Sequence, residues 1–329
     1  MKPMTILVTG GAGYIGSHAV LALADAGWSV VVIDNLVTGF RWAVDGRATF
    51  VEGDIGDEAL VRKTLTDHKI GAIMHFAGSV VVPESVENPL KYYRNNTANS
   101  RSLIESAVAC GVKHFIFSST AATYGIPEVI PVAEDMPTVP INPYGMSKLM
   151  TEAMLADVAA AHPMNYCALR YFNVAGADPA GRSGQSTAGA THLIKVAVEA
   201  ATGKRESVGV FGMDFATADG TGIRDYIHVS DLADAHLHAL DLLTREPGRS
   251  HIMNCGYGNG FSVLDVLDSV DRVAGVTIDR KMGPRRAGDP DALIADNSRI
   301  LQRTAWRPRY ADLDTIVSHA LAWEKSRPV

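Results

Sequence analysis

The stretch Thr9-Gly10-Gly11-Ala12-Gly13-Tyr14-Ile15-Gly16-Ser17 joins a short apolar run, Ile6-Leu7-Val8, to a segment with helical apolar spacing over 17–26. Gly10, Gly13 and Gly16 stand three apart. Glycine is needed where the chain turns sharply, where backbone approaches a pyrophosphate, and where a helix packs closely on a strand. The N-terminus of the helix then offers free N–H groups and partial positive charge to an anion. Glycines alone often do no more than make a turn. Here the next apolar run, 30–33, ends at Asp34, 18 residues past Gly16, where a carboxylate accepts the hydroxyls of an adenosine ribose. That context predicts a dinucleotide site. Asp34 repels a 2′-phosphate and favours NAD; Arg41, nearby in sequence, keeps NADP open.

Outward from this turn, strand-like and helix-like segments alternate. Strands are expected at 6–9, 30–33, 49–52, 72–76, 115–117 and 167–169. Helices are expected at 17–26, stopping at Gly27, at 58–67, along a long amphipathic segment 90–110 ending at Gly111, and after Asn142-Pro143. Near-continuous apolar strands separated by helices imply a parallel sheet covered on both faces. Right-handed crossovers then give an α/β doubly wound (Rossmann) fold. After Gly176 the pattern changes to a Gly/Ala/Ser-rich stretch, 176–190, which reads as a long loop of functional or mobile character. A smaller C-terminal substrate-binding domain follows. The division expected is 1–174 plus about 224–257 for the dinucleotide domain, and 175–223 with 258–329 for the other.

Of the 329 residues 47% are apolar, enough for a large core, and the net charge of −6 leaves no basic excess for nucleic acid. Cys110, Cys167 and Cys255 are odd in number and far apart, which offers no disulfide framework or zinc knuckle and suits a reducing cytoplasm. Residues 5–8 are too short for a signal-peptide core, and no apolar run approaches a membrane span. His228, His236 and His238 lack the acid or cysteine company of a metal site, so none is expected. Met146, Met150 and Met154, four apart, read as a packing stripe.

Asn142-Pro143-Tyr144-Gly145-Met146-Ser147-Lys148 opens a helix, with Asn as N-cap and Pro at the first position. Tyr144 and Lys148 then share one face. Alone, this spacing is more often a surface pair. Beside the glycine turn and Ser118-Ser119-Thr120 at a strand end, it reads as proton-transfer machinery, with Thr120 delivering a hydroxyl to the crevice. An ammonium and a cationic nicotinamide ring both favour phenolate. A fall of the phenol from about 10 to about 7 requires roughly 4 kcal/mol and makes a general base near neutral pH.

These residues resemble the extended short-chain dehydrogenase/reductases, and within them the nucleotide-sugar epimerases. The likeness spans nearly the whole chain: TGGAGYIGSH (9–18), VIDN (32–35), EGDI (52–55), HFAG (75–78), FSSTAATYG (117–125), PYGMSK (143–148), LRYFNVAGADPAG (169–181), DGTGIRDYIHVSDLADAH (219–236) and RRAGDP (285–290). The glycine turn and YxxxK identify the superfamily; the RYFNVAGA, GTGIRDYIHV and RRAGD segments narrow it. The resemblance implies reversible, NAD-dependent epimerisation of UDP-glucose and UDP-galactose at C4 through a 4-keto sugar. Another UDP-sugar, a pentose or N-acetylhexosamine, is the alternative, and a non-catalytic NAD-sensing module is a third.

It further implies an NAD site lined by Gly10, Gly13, Tyr14, Ile15, Gly16, Asp34, Asn35, Asp54, Ile55, Phe76, Ala77, Asn95 and Phe172. Thr120, Tyr144 and Lys148 are implied as catalytic. Asn173, His192, Leu193, Val210, Phe211, Arg224, Tyr226, Arg286, Asp289 and Leu293 are implied around the UDP-sugar. Arg224 and Arg286 suit a pyrophosphate because guanidinium binds it bidentately. Related dehydratases carry an acid soon after the Ser/Thr, whereas Ala121 and Ala122 follow Thr120 here. Val80, the acid-free loop 184–190, Lys195 and Leu293 depart from the family pattern, chiefly on the expected substrate side. A homodimer is expected, since 90–110 and the helix from Tyr144 have broad apolar faces and relatives pair such helices into a four-helix bundle.

Overall fold

The computed structural model describes residues 4–286 and 288–326. Seven parallel strands form the large sheet: β1 (Thr5–Thr9), β2 (Ser29–Asp34), β3 (Thr49–Glu52), β4 (Ile70–His75), β5 (His114–Thr120), β6 (Asn165–Tyr171) and, as seventh strand, β10 (His251–Cys255). Their order is β10-β6-β5-β4-β1-β2-β3, so the chain reverses its winding beside β1. This doubly wound order opens a crevice outside the carboxyl ends of the strands at that reversal. Ile6, Leu7 and Val8 are fully buried, which explains their unbroken apolar run: alternate side chains enter cores on opposite faces of the sheet.

Helix α1 (Tyr14–Asp25) packs on one face with α8 (Val229–Arg245). α2 (Glu58–Asp67), α5 (Asn99–Ala109) and α6 (Pro143–Ala161) cover the other. α1 ends before Gly27, which takes a φ of 78°, a left-handed conformation suited to glycine. α6 starts as read: the Asn142 side chain accepts from Gly145 N at 2.9 Å, with Pro143 in the first turn.

The segment 90–110 is not one regular helix. α3 (Val82–Glu87) and α4 (Pro89–Tyr92) precede a π-helical turn, Tyr93–Ala98, and only then does α5 begin. The cause is Asn96. Its carbonyl accepts from the Ser100 and Thr151 hydroxyls, and its side chain bonds Ser79 and Ser147. These side-chain donors compensate a widened helical turn.

A smaller lobe contains β7 (Asn173–Ala175), α7 (Leu193–Ala201), β8 (Val208–Phe211), β9 (Ile223–His228), β11 (Gly260–Ser262), α9 (Val263–Ala274), β12 (Arg280–Gly283), β13 (Ala292–Leu293) and α11 (Leu313–Ser326). The short α10 (Ser298–Arg303) lies against β10. β9 pairs with β7, β11 and β13, and β8 pairs with β12. Of residues 224–257, α8 and β10 therefore lie with the large sheet, while β9 lies with the small one. Residues 176–190 carry no regular element beyond a single bridge, Ala177 to Gly184.

Candidate active site

The expected cofactor residues gather along one edge of the large sheet. Gly10 follows β1, Asp34 ends β2 with Asn35 next, and Asp54 with Ile55 follow β3. Phe76 and Ala77 follow β4, and Phe172 follows β6. These are all carboxyl ends. Gly10 has a φ of 71°, and a Cβ there would stand 2.6 Å from the Ala77 nitrogen. A Cβ on Gly16 would stand 2.1 Å from the Gly10 carbonyl. The turn and the helix thus approach more closely than any side chain permits. Gly13 opens α1, and no side chain among the described residues caps this helix. Its first-turn N–H groups remain available to a diphosphate.

Asp34 is buried and accepts from Ala12 N (2.9 Å) and Leu36 N (2.8 Å). Burial raises its pKa, opposed by those two backbone bonds. Each oxygen keeps acceptor capacity for a ribose hydroxyl. Arg41 stacks over Phe50, 4.5 Å from the ring centre. Asn35 donates to Asp54 (2.8 Å), which also accepts from Asn99 (3.1 Å). Glycine cradle, uncapped helix and buried carboxylate fit NAD. The Tyr14 hydroxyl is engaged, donating to Gly176 O at 2.7 Å, which leaves its backbone N–H as the group free to meet a dinucleotide.

Thr120 ends β5 and Tyr144 stands in the first turn of α6, where the Thr120 hydroxyl is near enough to influence the phenol. Ser119 points away, donating to the buried carboxylate of Glu152. Lys148 is buried and donates to Ser118 O at 3.0 Å, with its ammonium over the Phe117 ring. A Cβ on Gly78 would lie 3.7 Å from that ammonium, which places Lys148 beside the Phe76–Ala77 edge. In this surrounding, burial raises the Tyr144 phenol, with the Thr120 hydroxyl pulling the other way. Burial also pushes Lys148 down to about 8. The expected fall of the phenol to about 7 is therefore not a property of the folded chain alone. Counting charges omitted desolvation, which disfavours both ions.

A stability prediction follows from Lys148. Below about pH 8 it is charged in the fold at a cost; from there to 10.5 the unfolded chain holds the proton that the fold has released, so stability rises with pH. At about 1.4 kcal/mol per pH unit, less one lost hydrogen bond, Lys148→Met is expected to be about 2 kcal/mol more stable at pH 7. The gap closes as pH rises through 8 towards 10.5. Urea unfolding of protein stripped of dinucleotide checks this.

The expected sugar residues lie in the smaller lobe, on or beside β7, α7, β8, β9, the β12–β13 connection and β13. Arg224 donates to Ile223 O (2.8 Å) and lies 3.6 Å from Asp289. Arg286 stacks on Phe211 at 4.1 Å. Asn173 is paired in register with Tyr226. His192 caps α7, with burial holding its imidazole down, and Leu193 opens the helix. Leu293 and Phe172 pack on Tyr124 and Ala121. The Val210 side chain is fully buried in the small-lobe core, which leaves its backbone as the part able to meet a ligand. Lys195 departs from expectation. It pairs with Glu199 at 3.1 Å and with Glu324, tying α7 to α11 rather than meeting substrate.

The sequence reading missed three supports. Asn99 joins Asp54 to α5; Asn96 links the Ser79 backbone to Ser147, on the turn carrying Lys148; and His75 bridges Thr9 (2.7 Å) and Ser100 (2.8 Å) beneath the crevice. Asn95-Asn96 inside a helical pattern was the available signal, since asparagine disfavours helix interiors. Asn95 itself donates to the Ser79 hydroxyl at 3.1 Å. His228 and His236 are held by protein groups: His236 by Tyr171 and Leu232 O, His228 by Ser230 N and His319. Met150 of the methionine stripe is 41% exposed, and Cys110 is only partly buried.

A doubly wound sheet with a glycine phosphate turn, an acid ending its second strand and a Tyr-Lys pair on one helix face defines a short-chain dehydrogenase/reductase. The model of the NAD dependent epimerase/dehydratase family matches residues 6–256, and the chain belongs to that family. A UDP-glucose 4-epimerase of Azospirillum brasilense is 56% identical over 321 residues, 98% of this chain and 92% of that protein. The structure of UDP-glucose 4-epimerase from Brucella ovis in complex with NAD superposes with a TM-score of 0.94 at 45% identity, over 97% of this chain and 98% of that one. The UDP-Glc/GlcNAc 4-epimerase of Campylobacter jejuni gives 0.86 at 48% identity, over 98% and 100%.

Proposed function

We propose that Tyr144, Lys148 and Thr120 carry the reaction of this chain, reversible NAD-dependent epimerisation of UDP-glucose and UDP-galactose at C4. The observation that carries this reading is the gathering of Thr120 at the end of β5, Tyr144 in the first turn of α6 and the buried Lys148 held on Ser118 O, at the strand ends that also form the phosphate turn. Tyr144 takes the proton of the sugar 4-hydroxyl and later returns it. Thr120 holds the hydroxyl in line with the phenol. Lys148, fixed on Ser118 O, stabilises the phenolate that accepts the proton. Bound NAD supplies the hydride acceptor and donor, and the 4-keto sugar turns over between the two transfers to invert C4. Gly10, Gly13, Tyr14, Ile15 and Gly16 hold the diphosphate of that dinucleotide, and Asp34 its ribose.

Arg224 and Arg286 hold the UDP diphosphate, with Asn173, His192, Leu193, Phe211, Tyr226, Asp289 and Leu293 around it. Holding the diphosphate firmly and the hexose loosely permits the turn. Ala121 and Ala122 bring no carboxylate next to Thr120, so water elimination beside the keto group lacks the second acid that moves its proton. Purified protein incubated with UDP-galactose and NAD is expected to form UDP-glucose; absence of product sinks the reading. A second substrate, UDP-N-acetylglucosamine, is favoured by Leu293 lining the Phe172 side of the site and by the 48% identity to the UDP-Glc/GlcNAc enzyme. Turnover on both sugars decides it.

The two-lobed division runs, on this reading, through β9, with residues 1–172, α8 and β10 holding dinucleotide. A homodimer is supported by α3, α4 and α6, which pack together and leave Val86 (63%), Leu90 (77%) and Met150 exposed. Leu90→Glu with Met150→Glu is expected to sediment as a 35.1 kDa species where the wild type runs at twice that mass. A cytoplasmic setting is supported by three free cysteines. No helix among the described residues is long and apolar enough to cross a membrane.

A further inference from the structure

We propose that Trp323, Trp42 and the loop around Ser183–Ser186 form a latch that retains the dinucleotide. The proposal rests on the NAD site described above, but not on the sugar or the reaction. The loop leaves the small lobe and runs along α1. Three bonds fasten it, two in the first turn of the helix and one at its last residue. Tyr14 donates to Gly176 O at 2.7 Å, the buried Ser17 and Ser183 hydroxyls meet at 2.7 Å, and Arg182 pairs with Asp25 at 2.9 Å. All three anchors on the large lobe belong to α1, the helix that presents its amides to the diphosphate.

Trp323, from α11, closes the loop from outside. A Cβ on Gly184 would lie 2.4 Å from its ring, so only glycine lets the loop pass so closely. Its indole N–H donates to the Ser186 hydroxyl at 3.2 Å. Its ring meets Trp42 with centroids 5.8 Å apart, and Trp42 stacks on Phe40 at 5.4 Å. Phe40 in turn donates its backbone N–H to Ala12 O in the phosphate turn, at 2.9 Å. A small cavity beside Gly13 and Tyr14 lies between the Phe40–Trp42 segment and Gly184–Thr187. On this proposal a diphosphate seated on the first turn of α1 is released when these two walls part. Parting them breaks an aromatic contact between lobes and a buried hydroxyl pair together. A reaction that restores its cofactor each turn needs no exchange, so a closed latch costs it no turnover.

The test is NAD release, independent of sugar chemistry. Wild type, Trp323→Ala, Trp323→Phe and Gly184→Ala are diluted with an NAD-hydrolysing enzyme as trap, and bound NAD is assayed after denaturation at intervals. Trp323→Ala and Gly184→Ala are expected to release NAD at least tenfold faster, and Trp323→Phe to lie between them and wild type. Gly184→Ala keeps both indoles and displaces the loop, so it decides the matter if Trp323→Ala does not fold. Melting of the stripped proteins is measured alongside. Faster release at unchanged melting supports the latch; release within twofold of wild type in both Ala variants overturns it. Wild-type protein that loses NAD on gel filtration yet converts UDP-galactose with added NAD also overturns it and leaves the epimerase reading intact. Protein that keeps NAD but converts no sugar does the reverse.

Discussion

Tyr144→Phe lowers the turnover of UDP-galactose by about two to four orders of magnitude, the range a positioned general acid–base contributes. The ring stays in its packing beside Tyr92, with centroids 6.4 Å apart, so the fold and NAD content are expected to be unchanged. Only the phenol oxygen is lost. Because burial raises the phenol, Tyr144 acts as a base only with positive charge next to it, and Lys148 is itself weakened as an ion by burial. Neither residue replaces the other. Phenylalanine at 144 with wild-type turnover would assign the proton transfer to another group, and the mechanism given above would be wrong.

Glu152→Ala is expected to destabilise the protein by about 3–5 kcal/mol, the cost of stranding one partner of a buried ion pair. Arg170 and Glu152 are 4% and 3% exposed and joined by two bonds, 3.0 Å and 2.6 Å, while Ser119 donates to the same carboxylate. Removing Glu152 leaves a guanidinium and a hydroxyl without their acceptor, between the strands that end at Thr120 and Tyr171. Denaturant unfolding measures the loss. Asp67→Asn, which breaks the solvent-exposed Lys63–Asp67 pair, serves as the control and is expected to leave the midpoint unchanged. A loss below about 1 kcal/mol for Glu152→Ala would mean that the Tyr124 ring and Glu134 O already satisfy Arg170.

Local rules made part of this molecule readable. Glycines 10, 13 and 16 could be interpreted because their demands are short-range: a left-handed φ, a close carbonyl, an uncapped helix. Asp34 could be placed because β2 follows α1 directly, and Tyr144 and Lys148 because one helical turn joins them. The parallel sheet was legible as far as β6, since each strand lies within a few tens of residues of its helix. Charge, cysteine spacing and the missing apolar span likewise belong to the chain before it folds.

Distance along the chain hid the rest. β10 completes the large sheet from 80 residues beyond the end of β6, and β9 joins the small sheet though it adjoins α8 in sequence. Lys195 looked like a substrate-side change until Glu324, 129 residues away, was seen to hold it. The π turn at Asn96 exists because Ser79, Ser147 and Thr151 arrive from elsewhere to bond it. Burial, too, belongs to the assembled fold: the same Tyr-Lys spacing that suggested a lowered phenol gives a raised one once both side chains leave water. Turn geometry and one-turn spacings are set by neighbouring residues and so can be read in order, whereas desolvation and long-range pairing exist only after the chain has closed on itself.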